Sequence, residues 1–460
     1  MQLVTPRLVP PLDPGFRPAV LANRAFRQAA LAAGGAPYAI ALERTGGATS
    51  RYDTVVFPAG HPRERENALY IERLVKFLLW QRGAWRVTLG GPRPIGEFVA
   101  SEYSADGPRA FDADLMGRQV YRQPFTFVLT SVDQVPPARE STNALGRHLD
   151  GCRIGFDLGA SDRKSSAVID GEAAFSIEVP WDPRHFSDPA EHFAGINDSL
   201  QRAAEHLPRV DAVGGSAAGI YVDNEPRVAS LFRGVSPEDF DRGVRDLFAR
   251  LQDAWGGVPF AVVNDGEVTA LAGSMSLGVN AVLGVAMGSS EAGGYVTPDG
   301  CITDWLNELA FAPVDYSPTA AVDEWSGDAG CGALYFSQQA VSRLTVPAGI
   351  EVDQSAHQAE QLLAVQKLMA AGDERAARIF ETIGIYLGYT IAHYAEFYDL
   401  EHMLILGRVT SGAGGDIILD RAHAVLAAEF PELHRVRLGL PDEQARRVGQ
   451  SIAAASLPRL

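Results

Sequence analysis

The sequence predicts layered α/β architecture, and three observations carry that prediction. Short apolar runs alternate with longer helical ones over the last 310 residues. Charge and texture change near residue 148. Four apolar runs after that point end in glycine-, serine- or Asn-Asp-bearing turns. The 460 residues, 46% hydrophobic and 21% charged, suffice for about three compact units at roughly 150 residues each.

The charge is unevenly spread. Residues 1–150 carry 18 Lys+Arg against 14 Asp+Glu, which leaves 22 against 43 for the rest and a formal total of −17. That excess of negative charge works against binding nucleic acid. Three cysteines, Cys152, Cys301 and Cys331, are too few and too scattered for a disulfide framework, which fits a reducing, cytoplasmic setting. Prolines 6, 10, 11 and 14 interrupt the N-terminus before any leader-length apolar run, and no stretch approaches the roughly 18 apolar residues of a membrane span. The polar, proline-bearing stretch Val135–Asn143 reads as a linker. It divides an N-terminal α+β domain, 1–147, from units expected at 148–270 and 271–460.

In chain order, Tyr38–Leu42 and Tyr52–Phe57 read as strands, Leu69–Gln81 as a helix, and Trp85–Leu89 and Phe125–Thr130 as strands. Beyond the linker come strands at Arg153–Asp157, Ala167–Ile169 and Ala173–Val179, a helix over Ile196–His206 and an apolar run over Ala212–Tyr221. A helix over Pro237–Ala254, strands at Phe260–Val263 and Ala281–Ala286, a long helix within Arg375–Phe397 and a strand at His402–Leu406 complete the alternation.

Four segments carry chemistry. In Ile154–Asp170 an apolar strand runs into a turn of small polar residues, with a second strand expected from Ser166. Backbone N–H groups and short hydroxyls at such a tip hold phosphate oxygens, and Asp157 can face a magnesium ion. An ordinary hairpin gives the same pattern. In Phe260–Leu271 an apolar strand ends in Asn264-Asp265 just before a helix. Ligands of α/β proteins bind at the carboxyl ends of strands, so Asp265 can serve as a general base, or simply cap the helix. Val282–Val296 is a strand, a Gly-Ser-Ser turn and a second strand. Met403–Asp416 is a strand entering a glycine-rich loop.

In this order, the four segments resemble those of the actin-like ATPase and sugar-kinase superfamily, and within it the ROK family of repressors, open reading frames and kinases. The resemblance covers residues 151–460. It extends to Gly214–Gly219, which sits where the family has its run before the sugar, and to Gly327-Asp328-Ala329-Gly330-Cys331 with Tyr335 and Ser337. It implies two lobes of an actin-like, ribonuclease H-like fold, ATP with Mg2+, and transfer of a phosphoryl group to a sugar hydroxyl. Carried over, Asp265 is the catalytic base, and Asn264, Glu308 and Ser216 belong to the sugar side. Gly159, Ser161, Lys164, Gly288 and Ser289 lie along the phosphates, and Gly407 and Gly412 near the nucleoside. The resemblance also points to a homodimer.

Departures from the family pattern carry information too. The positions matching its zinc ligands are Phe311, Glu324, Ser326 and Cys331. One thiol and no histidine cannot make a tetrahedral N/S site, so no structural zinc is expected. Glu291 replaces a small or apolar residue in the second turn. Pointing inward it would repel phosphates or bind the metal; pointing outward it is a solvated charge. Regulators of the family carry an N-terminal helix-turn-helix, and nothing before residue 67 reads as one. The expectation is therefore an ATP-dependent sugar kinase, with a catalytically silent sugar-binding protein or a sugar-responsive regulator as alternatives.

Overall fold

Every residue of the strand Cys152–Leu158 is buried, the charged Arg153 and Asp157 included, and the strand lies at the centre of a five-stranded sheet. The sheet order is Phe260–Asn264, Ala212–Ala217, Cys152–Leu158, Asp162–Ile169, Glu172–Pro180. The first three strands are parallel and the last two antiparallel. Against one face pack the helices Pro189–Ala204 and Leu247–Ala254, whose Ile196, Leu200, Leu247 and Phe248 form one core with Ile154, Phe156 and Val213. Asp188 caps the first of these helices, accepting from Ala190 N–H at 2.9 Å, and Pro189 begins it.

The computed structural model describes residues 1–140, 145–440 and 443–460, and the side chains of all of these except 443–448. The chain forms two compact units: Met1–Ser141 with Val285–Gly293 and Trp305–Leu440, and Thr142–Gly284 with Gly294–Asp304 and Pro441–Leu460. The sequence divides differently. The stretch 1–147 was expected to stand alone, but residues to 141 form one unit with most of what lies beyond 305. The C-terminal helix Glu443–Ala455, expected in the second lobe, docks on the central sheet. Gly155 and Gly214 allow this, because a Cβ on either would overlap the backbone carbonyl of Ser451 or Ala454.

In the first unit the strands Thr49–Val56, Ala36–Glu43, Arg86–Gly90 and Thr126–Thr130 form a sheet in that order, accompanied by helices Ala19–Ala32, Glu66–Arg82 and Arg93–Glu102. The alanine-rich helix Ala19–Ala32 lacks a polar cap residue and was not read from sequence; a strand follows it, not a second helix. The segment expected as a linker is pinned instead. Val135 is buried against Ala39 and Ala41, Arg139 pairs with Thr49, and Glu140 binds Arg44 and Ser50. Residues 141–143 of that stretch lie outside the described residues. A second sheet runs Glu291–Val296, Val282–Met287, His402–Leu406, Arg437–Gly439. The helix Glu374–Tyr394 is capped by Asp373 and almost wholly buried after its first turn.

Other strands fall where the apolar runs put them. The helix expected over Pro237–Ala254 is broken by the wider turn Phe240–Val244. Among the described residues no helix is long and apolar enough to cross a membrane.

Candidate functional site

The first hairpin turn is tighter than its sequence suggests. Its second strand begins at Asp162, not Ser166, leaving Gly159, Ala160 and Ser161 as the connection. Alternation then places Lys164 opposite Asp157. The Lys164 ammonium lies 2.9 Å from Asp162 Oδ1 and 3.5 Å from Asp157 Oδ2. Gly159 N–H closes the turn on the Asp162 carbonyl, and the Ser161 hydroxyl donates to Asp162 Oδ2 at 3.0 Å. The tip thus carries more carboxylate than an anion cradle needs.

Asp157 is buried, and burial pushes its carboxyl up; the Ser216 hydroxyl and Lys164 pull it back. Ser216, directly opposite on the neighbouring parallel strand, donates to Asp157 Oδ1 at 2.7 Å. Ser216 is fully buried, and its hydroxyl orients Asp157. Gln450 completes the arrangement, its amide 3.3 Å from Asp157 Oδ1 and 3.4 Å from Ser216 Oγ. Sequence reasoning missed Gln450, because it arrives on the helix Glu443–Ala455 from the far end of the chain. The small residues of that helix (Ser451, Ala454, Ala455) gave the only hint of close docking.

Asn264 and Asp265 sit where the strand Phe260–Asn264 meets the helix Asp265–Leu277. Capping falls to Asn264: its Oδ1 accepts from Gly266 N–H at 2.7 Å while its amide donates to the Gly219 carbonyl at 2.7 Å. Asp265 is thereby relieved of that role. It accepts from the same Gly266 N–H at 3.0 Å and from its own backbone N–H, and among the described residues no cation pairs with it. Burial, then the charge of Asp157, pushes Asp265 up to about 6.

No group of three or more His, Cys, Asp or Glu side chains is placed to hold a metal among the described residues. Asp157, with Asp265 within electrostatic range, fits only an ion that takes most of its ligands from water and phosphate, as magnesium does, and Lys164 competes for the same carboxylate edge.

In the other unit, Gly288 N–H closes the second turn on the Ser290 carbonyl, and Ser289 is exposed with its carbonyl accepting from Gln339. Glu291 points inward. It is 3% exposed, accepts from the Tyr394 hydroxyl at 3.1 Å, and burial pushes it up to about 8. Its other oxygen lies over Gly332, where a Cβ would overlap it. The solvated alternative is therefore excluded. Gly407 has φ 98°, which favours glycine, and a Cβ there would also strike the Met287 backbone. Gly412, φ 69°, faces open space.

Glu308 follows Asn307, whose φ of 49° turns the chain at the end of the helix Glu66–Arg82. Asn307 and Glu308 N–H groups donate to the Gln81 and Trp80 carbonyls at 2.9 and 3.0 Å. Of the positions matching zinc ligands, Phe311 stacks on Trp80 at 4.3 Å, Ser326 donates to Asp323 at 2.7 Å, and Glu324 is exposed. Burial pushes the Cys331 thiol up to about 12, whereas zinc takes thiolate. This donor set does not fit zinc.

No family model matches the sequence, and no curated protein does. Solved structures do match. A ROK hexokinase from Thermus thermophilus superposes with a TM-score of 0.51 at 18% identity, over 66% of this chain and 97% of its own. A ROK family transcriptional regulator, a homolog of the E. coli MLC protein, gives 0.51 at 20% identity, over 67% of this chain and 79% of its own. The chain has the α/β, two-lobed actin-like fold of these proteins.

Proposed function

We propose that the protein is an ATP-dependent kinase of a sugar or sugar-like hydroxyl, of the ROK type and cytoplasmic, with Asp265 as general base. The observation that carries this reading is the placement of Asp265. Its carboxylate stands at the carboxyl end of a parallel strand, beside a second carboxylate, with no described cation to neutralise it and its capping duty taken by Asn264. A group held near 6 is ionised at neutral pH yet basic enough to accept a hydroxyl proton.

Asp265 would orient and deprotonate the acceptor hydroxyl. Asn264 fixes the helix start and the Gly219 carbonyl beside it, and Ser216 and Gln450 aim Asp157. Glu308 would hold sugar hydroxyls. Gly159, Ser161, Gly288, Ser289, Gly407 and Gly412 are assigned to the nucleotide side, where Gly412 leaves the most room. Magnesium held by Asp157 would stabilise charge on the phosphates.

A second reading, a sugar-binding protein without turnover, draws on one specific set of contacts. The Gly159 and Gly288 N–H groups are engaged inside their own turns, and Asp162 adds negative charge at the first tip. The deciding experiment is ADP formation from ATP and Mg2+ across hexoses, amino sugars, N-acetylated sugars and polyols, alongside calorimetry of each sugar without ATP. Sugar-dependent ADP formation that Asp265→Asn eliminates supports the kinase. Sugar binding without any ADP formation supports the second reading.

A further inference from the structure

We propose that the helix Glu66–Arg82 is a metal-free clamp that fixes the segment 307–331 and so positions Glu308. Two contacts make the clamp. The first is the helix C-terminus. The last carbonyls of a helix have no partner within it, and here those of Trp80 and Gln81 accept from the backbone of Glu308 and Asn307. The Trp80 ring meanwhile stacks on Phe311. The chain around Glu308 is therefore held to this helix by main-chain bonds and a ring face, in addition to the bonds of its own turn and the Tyr398 hydroxyl on Asn307.

The second contact is a buried charge cluster. Arg73, Lys76 and Arg109 face Glu72, Asp112 and Asp328, three cations against three anions. Arg73 binds Glu72 at 2.6 Å and Asp328 at 3.0 Å. Arg109 binds Glu72 at 2.7 Å and Asp328 at 2.8 Å. Lys76, fully buried, holds Asp112 at 2.8 Å and lies 3.6 Å from Asp328. Asp328 is the only member supplied from beyond residue 112, so the cluster grips one loop at one point. From there the grip spreads through the backbone. The Asp328 carbonyl accepts from Asp323 N–H, and Gly330 bonds to Ala321 and, through its carbonyl, to Val314 and Asp315. A net-neutral buried cluster resists losing any one member, because the remainder would be left unpaired away from water.

The inference gives residues 66–112 a positioning role for the proposed substrate contact, and in that respect it rests on the sugar-kinase reading. Its test does not. Hydrogen–deuterium exchange is followed on the full chain without substrate, for wild type, Arg73→Met and Arg73→Lys. Arg109→Met, at the edge of the cluster, replaces Arg73→Met if the latter fails to fold. The expected result is exchange at least about tenfold faster in peptides from 307–331, unchanged exchange in 152–169, and partial recovery in Arg73→Lys. Treating wild type with EDTA or phenanthroline leaves 307–331 unchanged. Unaltered exchange over 307–331 in a folded variant, a uniform rise across the chain, or loosening of wild type by chelator would each overturn the clamp. Where a sugar is turned over, Arg73→Met should raise its KM about tenfold with kcat within about twofold, as lost positioning of a ground-state contact requires. A kcat loss without a KM change would overturn the positioning role. If wild type turns over no sugar, the kinase reading fails while the exchange result still decides the clamp.

Discussion

Ser216 and Asp157 stand opposite each other on neighbouring parallel strands, and the serine hydroxyl donates to the carboxylate at 2.7 Å. Both are buried, so this bond sets where the Asp157 charge points. Ser216→Ala removes it without changing the strand. A hydrogen bond to a charged group contributes about 1.5–3 kcal/mol, and the urea midpoint of Ser216→Ala should fall accordingly. Turnover should fall with it, since Asp157 loses its orientation. An unchanged midpoint would mean that Gln450 alone satisfies the carboxylate.

Asp265→Asn keeps the shape of the strand end and removes the base. Turnover should drop by about 10²–10⁴, while sugar binding measured by calorimetry stays within a few-fold. A carboxyl held near 6 by burial and by Asp157 acts as a base only when ionised, so kcat/KM of wild type should fall as pH drops through about 6. A flat profile from pH 5 to 7 in an active enzyme would remove Asp265 from the proton transfer.

Glu291 gives a stability prediction with a definite sign. Burial raises its carboxyl from an ordinary 4.5 to about 8, so the folded state holds a proton that the unfolded chain releases above 4.5. Its contribution is fully present below 4.5 and is lost as pH rises through 8. Glu291→Gln imitates the protonated form and keeps an acceptor for Tyr394. The melting temperature of the variant should exceed that of wild type at pH 8 and match it near pH 4.5. Equal values at both would place an ionised Glu291 in water.

Strand positions were legible because their apolar runs are bounded by turn residues. His402–Leu406 falls on the residues its run indicates, and the Asn264–Asp265 junction falls where a strand meets a helix. What was illegible depends on partners distant in sequence. Nothing near Lys164 says that it will face Asp157, because that follows from where the turn closes. Nothing near Gly214 announces a helix from residue 443 onward, and the glycine was read as a neighbour of the sugar. The helix Glu66–Arg82 was read correctly, yet Arg73 and Lys76 look like surface charges until Asp328 and Asp112 meet them. Whether Glu291 points inward is likewise decided by Tyr394 and Gly332, both far along the chain.

The contact of the C-terminal helix with the central sheet depends on two absent side chains. At Gly155 and Gly214 an added methyl would occupy the place of the Ser451 and Ala454 carbonyls, so the helix must move or part from the sheet. Overpacking of this kind costs about 1–3 kcal/mol, and Gly155→Ala should lower the urea midpoint by a matching amount. Gln450 rides on that helix, so Gly155→Ala should also depress turnover although residue 155 touches no proposed substrate. A stable, fully active Gly155→Ala would show that the helix docks more loosely than the close approach implies.

Lys76 has no exposed surface, and its ammonium lies 2.8 Å from both oxygens of Asp112, which also accepts from Trp80 Nε1 at 3.1 Å. Lys76→Met conserves most of the volume and removes the charge. Asp112, itself 1% exposed, then keeps only the indole donor, and an unpaired buried charge costs about 3–5 kcal/mol. Adding Asp112→Asn removes that charge while leaving an oxygen for Trp80, so the double variant should recover part of the loss. Urea unfolding of the two single variants and the double one measures the coupling between them. Additive losses would mean that the pair is not electrostatically linked, and that Lys76 serves Asp328 instead, the partner 3.6 Å away.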